Sequence, residues 1–117
     1  MENRRKFKRK YLVYPIRIFN PNTNRLIGFV ENITIEGMLL KAGQPFPTNQ
    51  TYQLKMLLGE ETYKTGYFKF SAECKWWDKD NFTGFYNIGF QLKDVSFEGS
   101  QVLDLIIHKF CIDEKSF

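Results

Sequence analysis

The chain has 117 residues, of which 43% are hydrophobic and 17% aromatic, so the sequence predicts one folded domain rather than a disordered segment. The first ten residues hold six Lys or Arg and one Glu, for a net charge of +5. The other 107 residues hold eleven basic and twelve acidic side chains, for a net charge of −1. A protein that coats a nucleic acid polymer usually spreads positive charge over a face, so a short basic arm favours a compact anion.

The sequence offers little for a disulfide framework, a metal site or a membrane span. Its two cysteines, Cys74 and Cys111, lack metal-ligand spacing and are expected to be free, mostly buried thiols. No apolar run is long enough to cross a membrane, and no signal-peptide core follows the basic start. We therefore expect a cytoplasmic protein without a metal or a cofactor.

The first half of the chain is predicted to form strands separated by turns. Residues 11–19 have the pattern of a first strand, in which Pro15 cannot donate to a ladder and therefore marks an edge or a bulge. Residues 25–35 are predicted to form a second strand. The alternation of apolar and polar residues is interrupted at Glu31, which favours a bulge near that position. Two further strands are predicted at residues 38–42 and 52–58.

The second half adds two strands and a helix. Residues 66–77 are predicted to form a long fifth strand, in which Trp76 and Trp77 have opposite parity, so at most one readily enters the core. A hairpin turn at residues 78–81 leads to a sixth strand at residues 83–93. Apolar residues then recur at helical spacing over about 97–110, with Ser96 as the expected N-cap.

These elements predict an all-β fold with a C-terminal helix. Six strands with short turns favour a small antiparallel barrel, because closure removes exposed strand edges. The helix would cover an opening or a face of that barrel. We therefore divide the chain into a basic arm at residues 1–10 and a barrel with its helix at residues 11–117.

An enzymatic function finds little support. The only histidine, His108, lies beside the apolar stripe of the predicted helix and is expected to be a surface or boundary residue. No nucleophile motif, phosphate-binding loop, paired-carboxylate signature or zinc spacing is present. The sequence therefore predicts a binding protein rather than an enzyme.

The basic arm contains the first half of a candidate binding site. Arg5 and Arg9 lie in a segment too polar for the core. An arginine side chain pairs its planar fork with phosphate oxygens or with the O6/N7 edge of guanine, and its flat face stacks on purine rings. Lysine does neither as well, so Lys6, Lys8 and Lys10 are expected to add general attraction. Taken alone, such an arm would more often be a solvated tail.

The end of the second predicted strand contains the other half. Asn32 and Thr34 are two residues apart, so both would project to one face while Ile33 and Ile35 enter the core. The amide and the hydroxyl together suit the edge of a base. Gly37 permits close approach of a ligand or an unusual backbone angle at the following turn.

The spacing Arg5-x-x-x-Arg9, followed by Asn32-x-Thr34-x-x-Gly37, resembles the two-part signature of PilZ domains, which are bacterial receptors for cyclic di-GMP. That family has RxxxR and then [D/N]xSxxG on a six-stranded split barrel followed by a helix. The resemblance covers nearly the whole chain, including the late strand with Gly89 and the terminal helix. It implies a PilZ-like barrel that binds cyclic di-GMP.

The resemblance also implies a role for each matching residue. Arg5 and Arg9 would bind phosphate and guanine. Asn32 and Thr34 would contact the other side of the ligand, and Gly37 would shape the turn beneath it.

Two positions bear on details of binding. Arg4, just before the motif, occupies a position thought in this family to influence stoichiometry, and arginine there is associated with an intercalated pair of ligand molecules. Thr34 replaces the usual serine: the hydroxyl is kept, and the added methyl could cost affinity in a tight pocket.

The leading hypothesis is a non-enzymatic cyclic di-GMP receptor whose arm orders on binding and changes a surface that an unidentified partner protein contacts. One alternative is a PilZ-like protein adaptor that no longer binds nucleotide. Another is a small barrel that binds single-stranded nucleic acid through basic and aromatic groups, which the nearly neutral body disfavours.

Overall fold

The structure, a computed structural model, describes the backbone of residues 10–113 and the side chains of residues 15–110. Within that range the chain forms seven strands and one helix. In chain order they are β1 (Lys10–Phe19), β2 (Leu26–Ile33), β3 (Gly37–Ala42), β4 (Thr51–Leu57), β5 (Tyr67–Lys79), β6 (Tyr86–Lys93), α1 (Phe97–Phe110) and β7 (Cys111–Asp113).

Six of these strands form the closed antiparallel barrel that the sequence predicts. The hydrogen-bonded order is β2-β3-β6-β5-β4-β1, and β1 closes the ring by pairing with β2 as well as with β4. The seventh strand, β7, follows the helix directly and pairs with residues 10–12 of β1. The sequence did not predict β7, because three residues are too few to show a strand period.

Alternate side chains of the strands fill the barrel, and the helix covers one opening. The helix starts where the sequence predicts, because the Ser96 hydroxyl accepts a hydrogen bond from the Gly99 amide at 2.9 Å and so caps the first turn. The core side chains contributed by β3, β4 and α1 are Met38, Leu40, Ala42, Leu54, Met56, Val102, Leu103 and Ile106.

The structure has a bulge at each of the two places where the sequence suggested an irregularity, which were an edge or a bulge at Pro15 and a bulge near Glu31. The pairing of β1 with β2 slips between Tyr11 and Ile16, a stretch that contains Pro15. The pairing of β2 with β3 slips between Val30 and Asn32, so Glu31 is an extra residue without a partner in β3. An extra residue shifts the alternation of inward-facing and outward-facing side chains by one position. The bulge at Glu31 therefore determines which of the following residues face the core.

The structure corrects the sequence prediction at two strand ends. Ile35 was expected in the core, but it is 52% exposed, because β2 ends at Ile33 and the chain turns away from the barrel. The predicted turn at residues 78–81 begins later, since β5 stays paired with β6 as far as Lys79. Trp76 and Trp77 are both exposed, so neither enters the core.

The remaining sequence expectations concern thiols, metals and membranes. Cys74 is a free, fully buried thiol, as predicted, and burial raises its pKa. Among residues 10–113, no three His, Cys, Asp or Glu side chains lie together in a way that could hold a metal ion. In the same part of the chain, no helix is long and apolar enough to cross a membrane.

Candidate functional site

A tight turn joins β2 to β3, and the Thr34 side chain organises it. The Thr34 amide donates to the Gly37 carbonyl at 2.8 Å. The Thr34 hydroxyl accepts hydrogen bonds from the backbone amides of Glu36 and Gly37, each at 3.2 Å. The hydroxyl therefore fixes the shape of the turn, which explains why a serine or a threonine is needed here.

Gly37 starts β3 where another backbone passes closely. A Cβ at this position would lie 2.4 Å from the carbonyl oxygen of Phe90, a backbone atom of the neighbouring strand. Any side chain would therefore push β3 away from β6. Glycine is required here by the close approach of two strands.

Asn32 is the only polar residue with a buried side chain among residues 15–110, at 8% exposure. Its amide makes no hydrogen bond with any residue that the structure describes, and no fully buried polar atom in that range lacks a partner. The amide therefore reaches the surface through a narrow opening. The bulge at Glu31 causes this orientation, because it lets both Val30 and Ile33 enter the core while Asn32 faces outward.

The opening is a groove of about 490 Å³ that Asn32, Thr34 and Gly37 line together. Its other wall is formed by β5 and β6. The pairing of these strands slips between Cys74 and Trp76, and Trp76 then lies opposite Gly89. A Cβ on residue 89 would lie 2.2 Å from the indole Nε1, so the indole rests directly on the glycine backbone. Trp76 is 48% exposed and offers a flat apolar surface to the groove.

A carboxylate and an amide complete the wall. The Asn87 side-chain amide donates to Asp78 Oδ1 at 3.0 Å, and both residues line the groove. This hydrogen bond holds the carboxylate in place and leaves its Oδ2 atom available to another donor. The groove thus offers one flat ring, one amide and one fixed carboxylate.

The charged residues of the groove are mainly acidic. Glu31 and Asp78 line it together with a single cation, Lys75. The Lys75 ammonium lies 3.3 Å from Glu73, and this hydrogen bond lowers the pKa of the Glu73 carboxyl. Glu31 lies 3.8 Å from Lys41 at the outer edge. The described part of the groove therefore suits a group that donates hydrogen bonds, and it would repel a phosphate.

A family model of the PilZ domain matches residues 3–108 of the chain. The chain belongs to the PilZ domain family. The match spans most of the arm, the barrel and most of the helix, and both halves of the motif fall within it.

Solved structures share this PilZ fold at low sequence identity. The PilZ domain of YcgR from Escherichia coli, described with c-di-GMP, has a TM-score of 0.68 at 17% identity, over 92% of each chain. MrkH of K. pneumonia in a c-di-GMP complex has a TM-score of 0.68 at 17% identity, over 92% of this chain and 52% of that one. The Bacillus subtilis inhibitor of motility MotI/DgrA has a TM-score of 0.67 at 14% identity, over 92% and 51%.

This PilZ chain therefore spans about half the length of MrkH and MotI. At such identities the likeness shows the fold alone. No curated protein matches the chain.

The PilZ signature divides into two groups in this structure. The groove brings Asn32, Thr34 and Gly37 together. The arginines Arg4, Arg5 and Arg9 lie outside the described residues. The first described residue, Lys10, is the strand partner of Ile33, so the chain enters the barrel one residue away from Thr34.

The sequence interpretation missed the β5–β6 wall of this PilZ groove. Trp76, Asp78, Asn87 and Gly89 come from the second half of the chain, far from both halves of the motif. Gly89, which lies inside an otherwise apolar strand, was a sequence signal for this wall, because a glycine within a strand often marks the close approach of another group. The slip that brings Trp76 onto Gly89 is a property of strand pairing and has no sequence signature.

Proposed function

We propose that this PilZ protein is a non-enzymatic receptor for cyclic di-GMP. The observation that carries the proposal is Asn32, whose nearly buried amide has no partner among the described residues and lines a groove. The amide reaches the groove and is left unpaired by the described residues, so it is available for a hydrogen bond with a ligand. Family membership and PilZ relatives described with c-di-GMP support the choice of ligand.

The groove would bind a guanine base. One guanine edge carries two acceptors, O6 and N7, which suit the amide hydrogens of Asn32. Its other edge carries donors, which suit the available oxygen of Asp78. The exposed face of the Trp76 indole would stack on the purine, as aromatic side chains do in binding single bases.

The phosphates would be bound by the arm. The described groove is acidic and would not hold them alone, whereas the side chains of Arg5 and Arg9 are permanently charged and would form paired hydrogen bonds with phosphate oxygens. Ordering the arm would cost about 1–2 kcal/mol per backbone residue, so a ligand must engage several side chains to compensate. Arg4 would stack on a further base if two intercalated ligand molecules bind.

Ligand binding would then be communicated to another protein. The ordered arm would lie beside the turn at residues 34–37 and alter the surface there, and a partner that prefers the ordered form would shift the population toward it.

Calorimetric titration with cyclic di-GMP tests the proposal. The wild-type protein is expected to bind with micromolar or tighter affinity, and the titration also gives the number of ligand molecules. Arg5→Ala and Arg9→Ala should each weaken binding at least about tenfold through lost charge-assisted hydrogen bonds. Lys8→Ala is the matched control, because it removes one positive charge from the same arm and should have a much smaller effect.

Two results would contradict the proposal. A folded wild-type protein without detectable nucleotide binding would support the adaptor alternative. Binding to a single-stranded oligonucleotide that excess cyclic di-GMP does not displace would support the nucleic acid alternative.

A further inference from the structure

A second surface lies on the outside of the barrel, away from the groove. Lys55 of β4 is the direct strand partner of Lys69 of β5, and Lys93 of β6 is the partner of Ser71, two residues from Lys69. The three lysines therefore form one cluster across three strands, which we call the lysine face. Like charges directly opposite each other destabilise a sheet, so folding alone does not explain this arrangement.

Little of this charge is neutralised within the protein. Lys93 lies 3.4 Å from Glu73. Lys55 donates to Asn24 and lies 4.3 Å from the centre of the Tyr67 ring, and neither contact carries a negative charge. The Lys69 ammonium has no hydrogen bond or ion pair with any residue in the described part of the chain. The lysine face is therefore positive although the body of the protein is nearly neutral.

A concave apolar surface adjoins the lysine face. A groove of about 620 Å³ lies between β5 and the start of α1, and all three lysines line it. On its far side Glu98 accepts a hydrogen bond from the Tyr63 hydroxyl at 2.7 Å and pairs with Lys64 at 3.2 Å. The apolar side chains that line the groove are Phe68, Phe70, Leu92, Val95 and Leu103.

We propose that the lysine face and this groove bind an acidic, amphipathic segment of a partner protein. Carboxylates of the segment would pair with Lys55 and Lys69, and its large apolar side chains would enter the groove. Charge complementarity supports this occupant, and an apolar groove with a charged rim matches the general arrangement of protein interfaces.

A nucleic acid fits the same surface less well. Phosphates run along the whole length of a nucleic acid, so some would lie beside the carboxylates of Asp94 and Glu98, which also line the groove, whereas the carboxylates of an amphipathic segment can all face the lysines. Phe68 and Phe70 are half-buried and stack on each other, with planes 10° apart, so they do not offer free faces to bases. The cluster contains lysines without arginine, which is the better side chain for paired contacts with phosphate.

The lysine face is separate from the proposed nucleotide site. The two grooves share no residue, and they lie at opposite ends of β5. The inference therefore stands whether or not the protein binds cyclic di-GMP.

Fluorescence anisotropy with the full chain tests the inference. The probe is a fluorescein-labelled peptide that repeats Glu-Phe-Glu-Glu-Leu, and its twin carries lysine in place of every glutamate. Only the acidic peptide should bind, and amide shifts in an NMR titration should cluster at residues 53–71 and 92–99. The double variant Lys55→Glu/Lys69→Glu should weaken binding at least about tenfold, because it replaces attraction by repulsion.

Two further variants separate binding from folding. Lys69→Glu alone places opposite charges across from each other, so it should raise stability while it lowers affinity for the acidic peptide. Lys79→Glu makes the same charge change at the far end of β5 and should leave affinity unchanged.

Any of three results would overturn the inference. The first is a wild-type protein that does not bind the acidic peptide. The second is equal affinity of the wild type and the double variant. The third is a single-stranded oligonucleotide, or a vesicle containing phosphatidylglycerol, that shifts the lysine-face amides while the acidic peptide does not.

Discussion

The two ends of β5 contribute to surfaces of opposite character. At its C-terminal end, Trp76 and Asp78 line a groove whose charged residues are mainly acidic. At its N-terminal end, Tyr67 and Lys69 border a groove with three lysines at its edge. The net charge of −1 outside the arm hides this separation, because the residues that line the two grooves carry an excess of opposite charge.

The difference in charge between the two grooves suggests which ligand each could bind without the basic arm. The lysine face presents its own positive charge and needs nothing further to attract carboxylates. In the proposed site the polar groove would recognise a base, and it would depend on the arginines of the arm for the positive charge that phosphates require. The basic arm and the neutral or acidic groove are therefore complementary halves of one proposed site.

The largest expected effect comes from the glycine at the start of β3. Gly37→Ala should lower the free energy of unfolding by about 1–3 kcal/mol, because the added Cβ would collide with the Phe90 carbonyl. Cyclic di-GMP binding should be lost, whereas the folded fraction should still bind the acidic peptide. Urea denaturation and calorimetry measure both. Gly43→Ala is the control, because nothing lies within 4 Å of its Cβ position. If both variants had the same stability and the same affinity for cyclic di-GMP, the steric role assigned to Gly37 would be wrong.

A smaller effect is expected at the groove wall. Trp76→Ala should weaken nucleotide binding by about five- to 150-fold, which corresponds to the 1–3 kcal/mol that stacking on one base contributes. Trp77→Ala is the control: this indole is equally exposed but contacts Tyr86 edge to face at 5.3 Å and does not line the groove. Calorimetry compares them. Equal losses for both tryptophans would show that the indole facing the groove has no special role.

The smallest effect is expected at the turn. Thr34→Val should lower stability by about 0.5–1.5 kcal/mol, because the two backbone amides at residues 36 and 37 would lose their acceptor. Thr34→Ser keeps the hydroxyl and should change stability little. Urea denaturation measures stability, and hydrogen exchange of the Gly37 amide reports the turn directly. A valine variant as stable and as protected as the serine variant would refute this role.

The sequence predicted the fold well because strand alternation and turn composition are local properties. The bulges at Pro15 and Glu31 were also predictable, since a proline and a break in alternation are both visible in the chain. The position of Ile35 was not, because a strand's end depends on where its partner stops pairing. The motif located one wall of the groove, while Trp76 and Gly89 meet only through a register slip in three dimensions.

The short strand β7 has a consequence for the arm. Lys10 pairs with Ile33 on one side and with Asp113 on the other, so the backbone is held from both sides at the residue where the barrel begins. Covalent geometry then keeps the Cα of Arg5 within about 18 Å of Lys10, five residues at no more than about 3.6 Å each. Short tethers raise the local concentration of a binding group to the millimolar range. In the proposed site, the frequency with which the arginines would meet a ligand in the groove would thus depend partly on the pairing of residues 111–113 with β1.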